Sequence, residues 1–398
     1  MKEKLKQLYQ KLLDLTEWIR NHRLKAFLII FILGMLMRFL VLLHYFSIAD
    51  LDWNDMNEKV WLAINYLING INPYGQEYRM EVLHLVEPNP NVENWYQYPP
   101  LSFIIHLPVL LFPGPQSIGI MDFMPGFFIL HLCMDFYMYY RLFKAGYHWS
   151  AAAVWCLAGA LFIALDFVTF ISVPLMFLVL AYLNMDNAFK SSLYIGLGVA
   201  TYTYLAIPAL FFFVYHVKKS KWKGLLKFLL GLIPAILCIL PFLLWDSSTF
   251  IYDIILSQSS RNTAGNFLFP KYGPDWWWLH LYSITPYIHS LYNLIVDPTQ
   301  PMYVNNLTTV LTGLAFLFTF YYLYKFYKKP YRGKLVYWSF MTILAITIVS
   351  ATGFFYYLLI PIFILIFLID LRKEIDVEEF KGEYVAPIKK HKKNLNQE

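Results

Sequence analysis

The chain has 398 residues; 59% are hydrophobic, 19% aromatic and 15% charged, and its formal net charge is +6. Soluble globular chains carry roughly 25% charged residues, so this balance excludes an ordinary soluble domain. The basic excess sits at the ends of apolar runs and in the tails, where membrane topology places it, and does not indicate nucleic acid.

Long apolar runs recur from one end of the sequence to the other. The expected fold is all-α: a polytopic transmembrane helical bundle of about ten to twelve helices, some short or re-entrant. Residues 1–25 come first. Leu5, Leu8, Leu12, Leu15 and Ile19 repeat at helical spacing, with Lys2, Lys4, Lys6 and Lys11 between them. This pattern predicts a basic amphipathic helix on the anionic cytoplasmic leaflet. The run 26–46 exceeds the roughly 7–15 apolar residues of a signal peptide and has no small-residue cleavage site after it, so it is read as a first crossing.

Residues 47–98 then form a first external loop, rich in Asp and Glu. Within it, 58–70 has the spacing of a short interfacial helix. Between 99 and 141, Pro113-Gly114-Pro115 separates two apolar segments, one of which is a re-entrant candidate. Runs 149–165 and 167–183 read as a hairpin with Asp166 at its turn. The run 191–217 is basic at both ends. At ~1.5 Å per residue it spans about 40 Å, enough for one crossing. A single pass would send the basic cluster 325–334 outside, against the charge bias. Two short helices meeting near 202–208 resolve the parity. Residues 224–245 cross outward, 246–302 form a second external loop, and 303–326, 335–349 and 354–369 complete the bundle 26–370. A charged tail, 371–398, returns to the cytoplasmic side with Lys389, Lys390, Lys392 and Lys393.

Three clusters carry candidate chemistry. Asp50, Asp52 and Asp55 follow the first crossing. Carboxylates there are suited to taking a proton from an acceptor hydroxyl or to holding a divalent cation, although any solvated acidic loop has the same composition. Tyr96-Gln97-Tyr98-Pro99-Pro100-Leu101 opens the next apolar run, with prolines tolerated at a helix start. In the second loop, Arg261-Asn262 and Lys271 offer cations for a phosphate, Arg being suited to bidentate binding; a surface arginine on lipid phosphates would look alike. Asp122, Asp135 and Asp166 lie in or beside apolar runs and read as structural, Asp135 pairing with Arg141 or His131. His84, His106, His131, His280 and His289 show no metal spacing. Cys133, Cys156 and Cys238 fall inside apolar runs and read as packing residues.

The ordered set of an aspartate after the first crossing, Gly70-Ile71-Asn72-Pro73-Tyr74, and the Tyr96–Leu101 helix start resembles the GT-C superfamily of polyprenyl-phosphate-sugar-dependent glycosyltransferases. It is most similar to the polyprenol-phosphate-mannose-dependent mannosyltransferases, including those of glycosylphosphatidylinositol assembly. The resemblance is sharp over 50–101 and continues as helix layout beyond. It implies a GT-C-like bundle that moves a hexose, by resemblance mannose, from a polyprenyl-phosphate donor to a lipid, glycan or protein acceptor. The family's catalytic aspartate matches Asp55 by distance to Gly70; its two-aspartate form matches Asp50 and Asp52 by pattern. Tyr74, Tyr96 and Tyr98 of the matched motifs, Arg261-Asn262, which resembles an arginine-centred segment of the glycosylphosphatidylinositol enzymes, and the nearby cation Lys271 are the substrate-binding candidates. The chain departs from the family in the long insertion 79–94, and in Thr203-Tyr204 where a lysine–proline pair often stands.

The resulting expectation is a multi-pass cell-membrane enzyme with cytoplasmic termini and an external active site. Its partners would be membrane lipids, donor and acceptor. No metal ligand set is assigned, and Mg or Mn is the candidate cofactor. The rival expectations are a transporter or flippase for a lipid-linked or polar solute, and a non-catalytic membrane scaffold.

Overall fold

The computed structural model describes residues 2–47, 59–76, 96, 98–111, 124–145, 149–157, 171–256, 302–349 and 359–372. Every regular element among them is helical, so the all-α expectation holds for the described residues. Helix α1 (Lys2–Asn21) and α2 (Arg23–Ser47) follow the first two predicted segments. Hydrogen bonding runs through their junction: His22 N–H donates to Trp18 O and Ala26 N–H to His22 O. The two therefore join without a loop.

Helix α3 (Trp61–Ile68) is the predicted short helix of the first loop. Helix α4 (Leu101–Ile104) starts at the prolines, as expected, but stops after one turn and resumes as a 3-10 turn, Leu107–Leu111. Pro108 is the local cause, because it has no N–H to give to the Ile104 carbonyl. At ~1.5 Å per residue, 101–111 reaches roughly 16 Å, about half the thickness of a bilayer core. Helix α5 (Met124–Ala145), a helical stretch 149–157 (α6), and α7 (Ser172–Leu183) come next. Asp122 and Asp166 lie outside the described residues.

Helix α8 (Ala188–Thr201) is capped at its start by the Asn187 side chain, which accepts from Lys190 N–H. The predicted break is present. Tyr202 is extended (φ −152°, ψ 114°), a 3-10 turn covers Thr203–Leu205, and α9 (Ala206–Trp245) starts directly afterwards. Thr203–Trp245 is the one stretch among the described residues long and apolar enough to cross a membrane by length and composition. It is not a single rod. Lys221 has φ 48° and ψ −130°, and the chain folds back there: the rings of Phe213 and Phe228 sit 5.6 Å apart. Gly224 faces the His216 carbonyl so closely that a Cβ would overlap it. The limbs 206–220 and 222–245 therefore form a hairpin.

Helix α8 packs on both limbs. His216 Nε2 meets Ser191 Oγ at 2.7 Å on the first. On the second, Gly231 lies against Ser192 and the Phe189 carbonyl, and Gly196 against Leu232 and Ala235. Small residues at this crossing let the two backbones approach, the usual device where hydrophobic exclusion alone cannot select a partner. Helix α10 (Ser247–Ile251) leads into a π-turn, Tyr252–Leu256; α11 (Met302–Lys328), α12 (Arg332–Val349) and α13 (Leu359–Arg372) complete the described chain.

The basic links converge at one end of these helices. Asp186, between α7 and α8, pairs with Lys219 at 2.9 Å and Arg332 at 3.1 Å. Lys218 sits 3.5 Å from the centre of the Tyr327 ring. Tyr182 stacks on Phe367, so the C-terminal end of α13 is there too. Both ends of the 191–217 run thus face the same side, as its charge parity requires.

One buried ion pair corrects the sequence reading. The partner of Asp135 that the sequence reading did not name is Arg38. Arg38 of α2 donates to Asp135 Oδ2 at 3.0 Å, and each side chain is 1% exposed. Arg38 also donates to the Gly34 and Cys156 carbonyls, tying α2, α5 and α6 together. Arg141 instead donates to the Tyr137 hydroxyl, one turn away on the exposed face of α5. A guanidinium one-sidedly buried among apolar helices needs a counter-charge, and Asp135 is the carboxylate that α5 brings to it.

Candidate functional site

At the opposite end from the basic links, the landmarks of the sequence reading gather. Helix α3 ends in a Schellman motif: Gly70 N–H donates to Leu67 O and Ile71 N–H to Tyr66 O. Gly70 has φ 72°, a left-handed conformation that a side chain would strain. The Asn72 side chain then accepts from Tyr74 N–H at 3.1 Å, closing an Asx turn around Pro73. This turn delivers Tyr74 inward.

Tyr74 is 2% exposed. Its hydroxyl donates to the Tyr98 carbonyl at 2.9 Å. Its ring meets those of Tyr96, Phe103, Phe242 and Phe250 at centroid distances of 5.9, 6.4, 5.7 and 4.8 Å. Two stretches distant in sequence, 96–103 and 242–250, are thereby packed on one side chain. Tyr96 is fully buried. The Ser102 hydroxyl donates to Pro99 O at 2.6 Å, so its one proton is committed, and the Tyr96 hydroxyl is the donor in their 2.6 Å contact. Of the three candidate tyrosines, Tyr74 and Tyr96 build the wall from behind. Tyr98 is half-buried and stacks on Tyr202 at 6.4 Å. The helix break at Tyr202 and the Tyr96–Leu101 start are thus neighbours.

The second loop begins at the same place. Asp246 caps α10, accepting from Thr249 N–H at 3.1 Å, Thr249 Oγ1 at 2.7 Å and Ser248 Oγ at 2.9 Å. These bonds hold its carboxyl below the usual carboxylate range. Gly75, at φ 79°, turns its N–H onto Asp253 Oδ2 at 2.7 Å. A Cβ on Gly75 would lie 2.5 Å from the Thr249 side chain. Asp253 is 1% exposed. Burial pushes its carboxyl up to about 6, against the Gly75 N–H, which favours the ionised form; the charge of Asp246 adds to the rise.

Beneath the wall runs a chain of buried polar groups: Ser102, His106, His131 and Ser172. His106 Nδ1 meets the Ser102 carbonyl, which only accepts, so that nitrogen carries the proton. His131 Nε2 meets His106 Nε2 at 3.0 Å, and His131 Nδ1 meets Ser172 Oγ at 3.4 Å. The chain fixes α4 to α5 and α7.

Asp50, Asp52, Asp55, Arg261, Asn262 and Lys271 lie outside the described residues. No group of three or more His, Cys, Asp or Glu able to hold a metal gathers among the described residues. The sequence reading missed Asp253, Arg38 and the histidine chain. Each had the same visible signal, a polar side chain inside an apolar run. What each one meets is set by another helix. No family model, no curated protein and no solved structure matches the chain.

Proposed function

We propose that this chain is a multi-pass integral membrane transferase, with the basic end of its helices on the cytoplasmic side and the tyrosine wall on the external side. More specifically, we propose a GT-C-type glycosyltransferase that takes a hexose, mannose by resemblance, from a polyprenyl-phosphate donor. The acceptor hydroxyl attacks the anomeric carbon, and the bond from that carbon to the lipid phosphate breaks with its electron pair going to the phosphate. Asp55 or Asp52 takes the acceptor proton, with Asp50 beside them. Arg261, Asn262 and Lys271 hold the departing phosphate. Attack opposite the leaving group inverts the anomeric centre.

The observation that carries this reading is the clasp of the two loops. Tyr74 donates to the Tyr98 carbonyl and Gly75 to Asp253. The glycine–proline–tyrosine turn, the tyrosine–proline helix start and the head of the second loop therefore share one place. In the sequence, the candidate aspartates precede α3 and the candidate arginine follows the π-turn, so each adjoins one of the two clasped segments. Convergence of the basic links at the other end of the helices supports the topology, since positive residues stay cytoplasmic.

The break at Tyr202 and the buried Arg38 and Asp135 are also features of transporters. Membranes carrying the protein, supplied with radiolabelled polyprenyl-phosphate mannose, distinguish the two. Transfer that is lost in Asp52→Asn or Asp55→Asn and reduced in Arg261→Ala supports the enzyme. Full transfer in both aspartate variants refutes the mechanism. Transfer that needs only a nucleotide sugar refutes the donor.

A further inference from the structure

We propose that Asp253 is a positioning residue of the transfer reaction: its carboxylate docks the Asn72-Pro73-Tyr74-Gly75 turn of the first loop onto the head of the second. The inference rests on the transferase reading above.

The contact is built from both sides. On the first loop, the Asx turn and the positive φ of Gly75 aim that residue's N–H outward from the turn. On the second loop, the Asp246 cap starts α10, and the π-turn that follows presents Asp253 Oδ2 to that N–H at 2.7 Å. Hydrogen bonds to a carboxylate are roughly twice as strong as neutral ones. Thr249 and Phe250 complete the fit: Thr249 fills the space that a side chain on Gly75 would need, and the Phe250 ring lies 4.8 Å from that of Tyr74. Keeping a carboxylate at 1% exposure is costly, and packing alone does not require one, because an apolar side chain fills such a place without that cost.

The consequence lies in what the two loops carry. The candidate bases, Asp50, Asp52 and Asp55, precede α3 in the chain, and α3 leads into the docked turn. The candidate phosphate cation, Arg261, follows Asp253 shortly after the π-turn. Docking the turn on Asp253 ties the segment that follows the candidate bases in the chain to the segment that precedes the candidate phosphate cation. A displacement of about 1 Å in such an arrangement costs on the order of a hundredfold in rate.

The test compares Asp253→Asn, which keeps an oxygen acceptor for Gly75, with Asp253→Leu, which keeps the branched shape and removes the acceptor. Both are measured in the full-length protein in nanodiscs for transfer from polyprenyl-phosphate mannose, for melting temperature, and for amide hydrogen exchange of the peptide spanning 69–76. The expected result is near-normal turnover and turn protection in Asp253→Asn. In Asp253→Leu, exchange of the turn rises at least tenfold and kcat falls about ten- to a hundredfold, with the melting temperature within a few degrees of the parent. Unchanged protection of the turn in Asp253→Leu overturns the docking role. Loss of turnover in Asp253→Asn with protection retained also overturns it, because Asp253 would then act as an acid or base. A parent protein that transfers no sugar refutes the transferase reading, while the exchange comparison still decides whether Asp253 docks the turn.

Discussion

Replacing Arg38 by Met removes the guanidinium paired with Asp135 while keeping most of the side-chain volume. Both partners are 1% exposed and 3.0 Å apart, so the variant takes the guanidinium away from a buried carboxylate. Breaking a buried pair in this way costs about 3–5 kcal/mol. Two further bonds, to the Gly34 and Cys156 carbonyls, disappear with it; hydrogen bonds from a charged donor contribute about 1.5–3 kcal/mol each, so the loss should fall at the upper end. The double variant Arg38→Met, Asp135→Leu removes both charges. Buried pairs replaced by apolar residues are often neutral or stabilised by about 1–4 kcal/mol, so it should recover most of the stability. A double-mutant cycle of unfolding in detergent micelles, with Asp135→Leu as the other single variant, should therefore give a coupling of at least about 2 kcal/mol. Additive single variants, or a double variant no more stable than Arg38→Met, would refute the argument that the two charges are retained as a pair.

Four other outcomes are expected. Tyr74→Phe keeps the aromatic packing and loses the bond to the Tyr98 carbonyl, for a cost of about 1 kcal/mol, whereas Tyr74→Ala costs about 3–5 kcal/mol; thermal melting of the two separates hydroxyl from ring. Gly231→Leu drives a side chain into Ser192 and the Phe189 carbonyl, and should destabilise by at least about 1–3 kcal/mol, measured by denaturant unfolding, while Gly313→Leu, which meets nothing within 4 Å, serves as control. The Asp253 carboxyl is raised from 3.8 to about 6 in the folded protein, so its protonated form is favoured by folding. That stabilisation is fully present below about pH 3.8 and is lost as pH rises through about 6. The melting temperature of the parent relative to Asp253→Asn should accordingly fall across this window, and a flat difference counts against the burial argument. Finally, Ser220→Cys and Ser248→Cys flank the second limb of α9 at a separation of roughly 40 Å; in intact cells an impermeant thiol reagent should reach Ser248→Cys and leave Ser220→Cys unlabelled until the membrane is opened.

Much of the helical layout was legible in the sequence because its causes are local. The apolar runs, the prolines at 99 and 100, and the charge parity of 191–217 gave the start of α4 and the break at Tyr202. Gly70 announced a helix end, and the Schellman bonds to Leu67 and Tyr66 supply it. Pro108 has an equally local effect: the segment after Tyr96–Leu101 changes there from α-helix to a 3-10 turn.

The sequence by itself determined where helices start and stop, which links are basic, and which residue types are available for chemistry, since backbone hydrogen bonding, proline and glycine geometry and side-chain periodicity act over a few residues. Only the tertiary structure decided partners. Arg38 and Asp135 are 97 positions apart, and Gly75 and Asp253 are 178 apart. Their pairing depends on which helix faces meet. A buried charge must find a counter-charge or a hydrogen bond, but the sequence does not say which of the available groups the packing brings within reach.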